Sequence, residues 1–392
     1  MVTLTSADGA LKEVYLGVVA NQLNTCINPL LAKFNQTTAD VWGKEIRKFT
    51  QYGINGGIGA GTEDGDLPTS AGSNYIQFVL SLKNLYGNLE ISDKAIRASE
   101  SSNGAFVNLL NSEMESLIKA STFNFGRMLY GDGTGTLATI TANTKNSVTV
   151  NSVKNLIEGM LVDIVSTIGV VAKHSLRVKS IDRLNKIVTF TTSELTENSY
   201  VDQKLIVQGS FGNELTGLGA IFKSTGTLYG LNRNTLGWLV PYMQDLEVDS
   251  TKTDISDVIM QRAIDYLDED SNSKVDFIAC SSGVKRNYQN YLASYRSNVD
   301  IIELEGGFKA ISYNGIPVVS DRFAPENTMY LLNTTDFNLH QLCDWKWLES
   351  EDGRVIKQMP GKPTYQATLV KYADIICNRP SGQARIIGIQ ES

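Results

Sequence analysis

Apolar residues recur at three- and four-residue spacing between Ala10 and Phe34, with Leu11, Val14, Tyr15, Val18, Val19 and Leu23 on one face. That pattern predicts an amphipathic helix ending near Asn28-Pro29, and a second short helix is predicted over Thr38 to Phe49. The strongest periodic run lies later. From Ala105 to Tyr130, Phe106, Leu109, Leu110, Met114, Leu117, Ile118, Phe125, Met128 and Leu129 keep a helical period for about seven turns, and Gly131 supplies the usual glycine past the carboxyl end. The methionines and aromatics of this stripe read as core packing.

Between Leu137 and Phe211 the period changes from helical to alternating. Val148-Thr149-Val150, Leu161 to Ile164, Leu176-Arg177-Val178, Ile187 to Phe190 and Leu205-Ile206-Val207 are short strands, and Asp182 to Asn185 joins two of them as a hairpin. They predict a small β-barrel or sandwich inserted after the long helix. Past a loop region around Thr225 to Trp238, a helix over Ile255 to Leu267, a strand over Val275 to Ala279 and a helix opening at Ser281 are expected. Strands then follow at Val299 to Leu304, Phe308 to Tyr313, Ile316 to Ser320 and Thr328 to Leu332, with further strands at Tyr365 to Ile376 and Ala384 to Ile389. The class is α+β with a mixed sheet.

One stretch has neither period. The twenty residues Gly53 to Gly72 contain seven glycines, too many for a helix and too few side chains for a core. Beyond them Tyr75 to Leu82 reads as a strand, with Tyr86 to Leu89 behind it. If Thr50 to Glu90 runs out and back as one extended hairpin, a rise of ~3.3 Å per residue gives a reach of roughly 60 Å. A compact chain of this length has a radius of gyration of only about 21 Å. Such an arm leaves its own subunit and needs something to cover it.

Composition narrows the function without naming it. The chain has 392 residues, 42% hydrophobic and 20% charged, which excludes wholesale disorder, and its net charge of -7 weighs against a protein that coats nucleic acid. No apolar run reaches the ~20 residues of a membrane span, and the amino terminus lacks the basic start and apolar stretch of a secretory leader, so neither is expected. Cys26, Cys280, Cys343 and Cys377 form no C-x-x-C pair and are expected as buried thiols in a reducing compartment.

Candidate chemistry is sparse. His174 and His340 are the only histidines, and neither sits in a nucleophile motif; His340 and Cys343 are two ligands where a zinc site needs more. Gly57 to Gly61 superficially resembles a phosphate loop, but Glu63, Asp64 and Asp66 follow where a helix amino terminus should be, and their charge would repel a phosphate. Asp268 to Asn272 matches the first positions of a calcium loop and then fails at Ser273 and Ala279, which leaves a solvated acidic helix end. Glu63, Asp64 and Asp66 are read as a solvated loop rather than a cation site. No enzyme activity, cofactor or metal is expected, and long projecting elements without a catalytic constellation indicate a structural subunit.

The order of these elements resembles the major capsid protein of tailed bacteriophages, the Hong Kong ninety-seven type fold. Gly131-Asp132-Gly133 resembles the turn after the spine helix of that family, and Gly315 to Asp321 followed by Met329 to Asn333 resembles a strand pair of its axial domain. The resemblance implies an amino-terminal arm over 1–49, an extended loop over 50–90, the spine helix over 91–136, an inserted β-barrel over 137–212 and a peripheral segment over 213–250. An axial domain over 251–360 and closing strands over 361–392 complete it. It also implies pentamers and hexamers of an icosahedral shell, built in the host cytoplasm and ending as the virion capsid. Scaffolding and portal proteins, and decoration proteins in some members, would be its partners, with double-stranded DNA enclosed without sequence-specific contacts and no membrane. The extended loop would supply the contacts between subunits, through Gly56, Gly57, Gly59, Gly61, Glu63, Asp64, Asp66, Tyr75 and Phe78. No lysine lies between Lys48 and Lys83, so the covalent cross-linking through that loop seen in some relatives is not expected. A scaffold fused ahead of the loop is not expected either; an encapsulin-like compartment, or a surface protein with a carbohydrate-binding β-domain, is the alternative.

Overall fold

The computed structural model describes residues 28–39, 41–43, 45–94, 103–192, 195–294, 301–304, 308–349 and 353–392. Three apolar cores organise them, and the largest joins the long helix to a five-stranded sheet. Strand Thr364–Cys377 is the spine of that sheet, pairing antiparallel with Phe337–Trp347 and with Lys83–Ser92. Along Lys83–Ser92 burial alternates strictly, Leu85, Gly87, Leu89 and Ile91 facing inward, as a half-buried strand requires. The helix, Asn103–Tyr130, lies over that face. Its approach is close at Gly87, where a β-carbon would stand 3.2 Å from both Leu117 Cδ1 and Ser121 Oγ.

A second core fills a seven-stranded mixed sheet, ordered Tyr242–Asp245, Ala384–Ile387, Met329–Leu332, Phe277–Cys280, Ile316–Ser320, Phe308–Tyr313, Ile301–Leu304. Helices Asp257–Ser271 and Ser282–Ser294 pack on it through Met260, Ala263, Leu267, Val284 and Tyr288. Helix Asp257–Ser271 ends at Asn272 in the left-handed region (φ 46, ψ 44), with backbone bonds from Asn272 N and Ser273 N back to Asp268 O and Leu267 O. The acidic run at 268–272 is therefore a capped helix end.

The third core lies inside a closed barrel of six strands between Thr136 and Val207, in the order Ile187–Phe190, Ser147–Val150, Thr136–Asn143, Lys204–Val207, Leu161–Val165, Val171–Asp182. Its base is tied to the long helix. The segment leaving the barrel crosses the helix end at Gly217, where a β-carbon would stand 2.3 Å from Met128 O, a distance only glycine tolerates. Just before it, Glu214 and Arg127, both buried, form a two-pronged ion pair, with Arg127 Nη1 donating to Glu214 Oε2 at 2.9 Å. Thr216 then donates through its backbone N–H (2.6 Å) and its hydroxyl (3.0 Å) to the fully buried Asp374 of the main sheet.

Several sequence expectations change. The helix expected over Thr38 to Phe49 is instead strands Val41–Trp42 and Glu45–Tyr52, because Ile46, Lys48, Thr50 and Tyr52 alternate with outward residues and an eight-residue ladder to Asn74–Ser81 satisfies the backbone. The extended loop is 45–81 rather than 50–90, since Lys83–Ser92 turns back into the main sheet. Strand Phe337–Trp347, absent from the sequence reading and inside the range assigned to the axial domain, belongs to the main sheet. The helix expected over Ala10 to Phe34 lies largely outside the described residues.

Candidate assembly interface

Strands Glu45–Tyr52 and Asn74–Ser81 form a hairpin whose two faces differ. Its inner face, Ile46, Phe78 and Leu80 with Tyr52 beyond them, docks on the connection between the barrel and the seven-stranded sheet. Phe78 is fully buried, its ring centroid 5.1 Å from Tyr229 and 6.1 Å from Trp238, while Tyr52 stacks on Trp238 at 5.3 Å. Val79 N donates to Tyr229 O at 3.0 Å and fixes the hairpin laterally.

Past Tyr52 the ladder stops but the two legs stay together. Ala71 lies opposite Gly56 and Gly57, Pro68 opposite Gly59, and Asp66 opposite Gly61, with a β-carbon on Gly59 calculated only 3.1 Å from the Pro68 ring. Glycines on one leg let the other lie against its backbone, giving a narrow ribbon that turns at Thr62 to Gly65 through Gly65 N to Thr62 O, 3.1 Å. The 18 residues from Glu45 to Thr62 reach about 60 Å when extended.

This arm presents apolar side chains to solvent. Phe49 (74% exposed), Ile54 (75%), Ile58 (77%), Leu67 (90%) and Tyr75 (66%) all project from it. Phe49 pairs with Gln77 and Gln51 with Tyr75, which places Phe49 and Tyr75 diagonally on the outer face. A row of exposed apolar groups on a thin projection marks an interaction surface.

Of the residues expected to make contacts, Gly56, Gly57, Gly59 and Gly61 lie on one leg, Glu63 and Asp64 at the tip, Asp66 just past it, and Tyr75 on the outer face. Phe78 does not belong with them: three positions from Tyr75 on a strand, it points to the opposite face and is spent on holding the arm to its own subunit. The sequence reading did not single out the exposed Phe49, Ile54, Ile58 and Leu67, although the last three stand among the glycines of the loop.

Elsewhere the titratable groups are structural in setting. Burial pushes Asp374 up to about 6 against the opposing hydrogen bonds from Thr216 and Ile375, and it lowers the Lys371 amine, which pairs with Asp344 at 2.7 Å over the Phe125 and Trp345 rings. His340 is buried, with Nδ1 3.2 Å from Ala39 O. Cys280, Cys343 and Cys377 are free thiols, and among the described residues no group of three or more His, Cys, Asp and Glu is placed to hold a metal. No described helix is long and apolar enough to cross a membrane.

No family model and no curated protein sequence matches the chain. Solved structures do. The capsid subunit of cyanophage A-1(L) superposes with a TM-score of 0.53 over 97% of this chain and 93% of that one, at 14% identity. An encapsulin complex from Synechococcus elongatus gives 0.49 over 97% and 96% at 10% identity, and the capsid of Myoviridae phage XM1 gives 0.46 over 92% and 91% at 10% identity. With almost the whole cyanophage subunit covered, this chain has the α+β fold of tailed-phage capsid proteins of the Hong Kong ninety-seven type.

Proposed function

We propose that the chain is the major capsid protein of a tailed bacteriophage, assembling as pentamers and hexamers into an icosahedral head that encloses double-stranded DNA. The observation that carries the reading is the arm: a capsid-type fold over nearly its full length bears a projecting hairpin with five large apolar side chains 66–90% exposed. A monomer gains nothing from that surface. Interfaces of 2,000 Å² or more, usual for obligate assemblies, would cover it. The role is structural, with no catalytic step; scaffolding and portal proteins, and decoration proteins where present, are the partners it calls for. Assembly would take place in the host cytoplasm and end in the virion.

The test is electron microscopy with light scattering on the purified chain, alone and with its scaffolding protein. Shells, tubes or five- and six-membered rings are expected, and deletion of Gly53 to Gly72 should abolish them while leaving a folded subunit. A monomer under both conditions, or normal particles from the deletion, overturns the reading. Nucleic acid inside recovered particles separates a viral head from a compartment with protein cargo.

A further inference from the structure

The β-barrel carries a hairpin whose charge is opposite to that of the chain as a whole. Within 171–190, Lys173, Arg177, Lys179, Arg183 and Lys186 stand against a single acid, Asp182, in a chain of net charge -7. Strand Val171–Asp182 turns back into Ile187–Phe190 with Asp182 opposite Ile187, which leaves Arg183 to Lys186 as the turn. Asp182 is committed to holding that turn: its Oδ1 accepts from Leu184 N (3.0 Å) and Asn185 N (3.1 Å), and its Oδ2 from Asn185 Nδ2 (2.8 Å). The turn presents Leu184, at 94% the most exposed large apolar side chain among the described residues, with Arg183 and Lys186 beside it. Arg177 and Lys179, two apart on the strand, point outward on one face behind it. Among the described residues, Arg183 alone of these four cations has a carboxylate near, Glu158 at 3.7 Å.

Helix Asp257–Ser271 has a surface of the complementary kind. It buries Met260, Ala263 and Leu267, and its opposite side shows Val258, Arg262, Asp265, Tyr266 and Glu269 at helical spacing on one face. Val258 is 74% exposed and Tyr266 44%, and Tyr266 stacks on Tyr242 at 4.3 Å. These three wall an open groove of about 570 Å³, which Asp265 and Glu269 also line. Asp268 and Asp270 add to the acids near the helix end, and the last turn holds no basic residue, although carboxylates there oppose the helix dipole. Among the described residues none of these four acids forms an ion pair within the chain. Arg262, the one base on this face, lies a turn before Asp265 and Tyr266. Within one subunit the two surfaces do not meet, since no barrel residue lines the groove and Leu184 stands free in solvent.

We infer that the barrel hairpin of one copy docks on this helix face of a second copy, Leu184 entering the groove between Val258 and Tyr266 while Arg183 and Lys186 meet Asp265 and Glu269. Charge complementarity selects the partner: a basic hairpin on an acidic chain finds its match on another copy of that chain. The arrangement is an apolar centre within a polar rim, as in specific interfaces, and the turn that Asp182 holds needs little further ordering to enter it. Each copy offers one hairpin and one groove, a head-to-tail contact that closes when the rotation between copies permits. The contact rests on the capsid reading, and it gives the inserted barrel a role in joining copies through residues outside the arm.

The test treats wild-type particles, assembled from a mixture of isotope-labelled and unlabelled chains, with a carbodiimide that joins a lysine amine to a carboxylate in contact with it. Mass spectrometry then identifies the linked peptides that combine both isotopes. Coupling of Lys179 or Lys186 of one copy to Asp265, Asp268, Glu269 or Asp270 of another is expected. Coupling of these lysines only to other carboxylates, or to none while particles form, overturns the contact and leaves the capsid reading intact. Failure of the wild-type chain to assemble, alone and with its scaffolding protein, overturns that reading and the contact with it. In parallel, Arg183→Glu with Lys186→Glu should lower the assembled fraction about tenfold at the concentration where half the wild-type chain assembles, and adding Asp265→Lys with Glu269→Lys should restore it to within about threefold. All four positions are exposed, so the reversals leave the cores untouched. An assembled fraction unchanged by the first pair, or not recovered by the second, overturns the inference.

Discussion

Phe78→Ala should free the arm without unfolding the subunit. The side chain is fully buried between Tyr229 and Trp238 at 5.1 and 6.1 Å, so its removal loses the transfer free energy of a phenyl ring and leaves a cavity. Buried Phe→Ala changes cost about 3–5 kcal/mol. Here the loss falls on one cooperative unit, because strands Glu45–Tyr52 and Asn74–Ser81 touch the rest of the subunit mainly through this face. At 1.36 kcal/mol per factor of ten, a loss of 3–4 kcal/mol lowers amide protection by roughly 100- to 1,000-fold. Hydrogen exchange read by mass spectrometry should show that drop over 46–51 and 76–80, with strand Phe277–Cys280 in the seven-stranded sheet unchanged. Assembly should fall as well, since an undocked arm must be ordered again before it can meet a neighbour. Unchanged protection in the arm, or an equal loss in the seven-stranded sheet, would refute the assignment of Phe78 to intrasubunit docking.

Three further outcomes follow from the packing. Arg127→Ala should destabilise by about 3–5 kcal/mol because Glu214 is left buried and uncompensated, whereas Arg127→Met with Glu214→Leu should cost far less; a cost for the pair equal to the sum of the two single changes, read from urea midpoints, would contradict this. Gly126→Ala would ordinarily stabilise a helix, but a β-carbon there meets the Phe323 ring at 2.5 Å, so a loss of about 1–3 kcal/mol is expected, relieved by Phe323→Leu and absent if the reasoning fails. Asp374, raised to about 6 from 3.8, is neutral in both states at low pH and costs the folded state up to about 3 kcal/mol once pH passes 6, so stability falls by that amount as pH rises from about 4 to about 6. Asp374→Asn should therefore flatten the pH dependence of the urea midpoint between 4.5 and 7.5, and an unaltered slope would count against a buried, charged Asp374.

The long helix was legible because its apolar period runs unbroken from Ala105 to Tyr130, and the barrel strands because short alternating runs sit between turn residues. Strand Phe337–Trp347 was not, since it is covered on both sides along its first half: Asn338, His340 and Gln341 are buried with Phe337 and Leu339, which erases the polar alternation. Glu45 to Phe49 misread as helix because a short segment of mixed residues satisfies either period, and only the distant partner at Asn74–Ser81 decides. The cleft beside the root of the arm was invisible in sequence for a similar reason. Gly53, Trp238, Tyr266 and Arg379 come together only through the fold.

The division of the arm into a laddered root and a glycine ribbon bears on how firmly copies associate. The ribbon has few bonds of its own, Gly57 N to Asn55 Oδ1 at 2.9 Å and Gly65 N to Thr62 O at 3.1 Å, so its order depends on what it lies against. Burying Phe49, Ile54, Ile58, Leu67 and Tyr75, already partly covered, would contribute on the order of 5–10 kcal/mol at about 1.5–3 kcal/mol for a full side chain. Loss of translational and rotational freedom on association costs roughly 4–15 kcal/mol. In the proposed shell, one arm contact would therefore come close to cancelling the cost of bringing two copies together, and a copy would be held firmly only by several such contacts at once. A closed ring would meet that condition and an open pair would not, so isolated dimers are expected to be poorly populated and assembly to depend steeply on concentration.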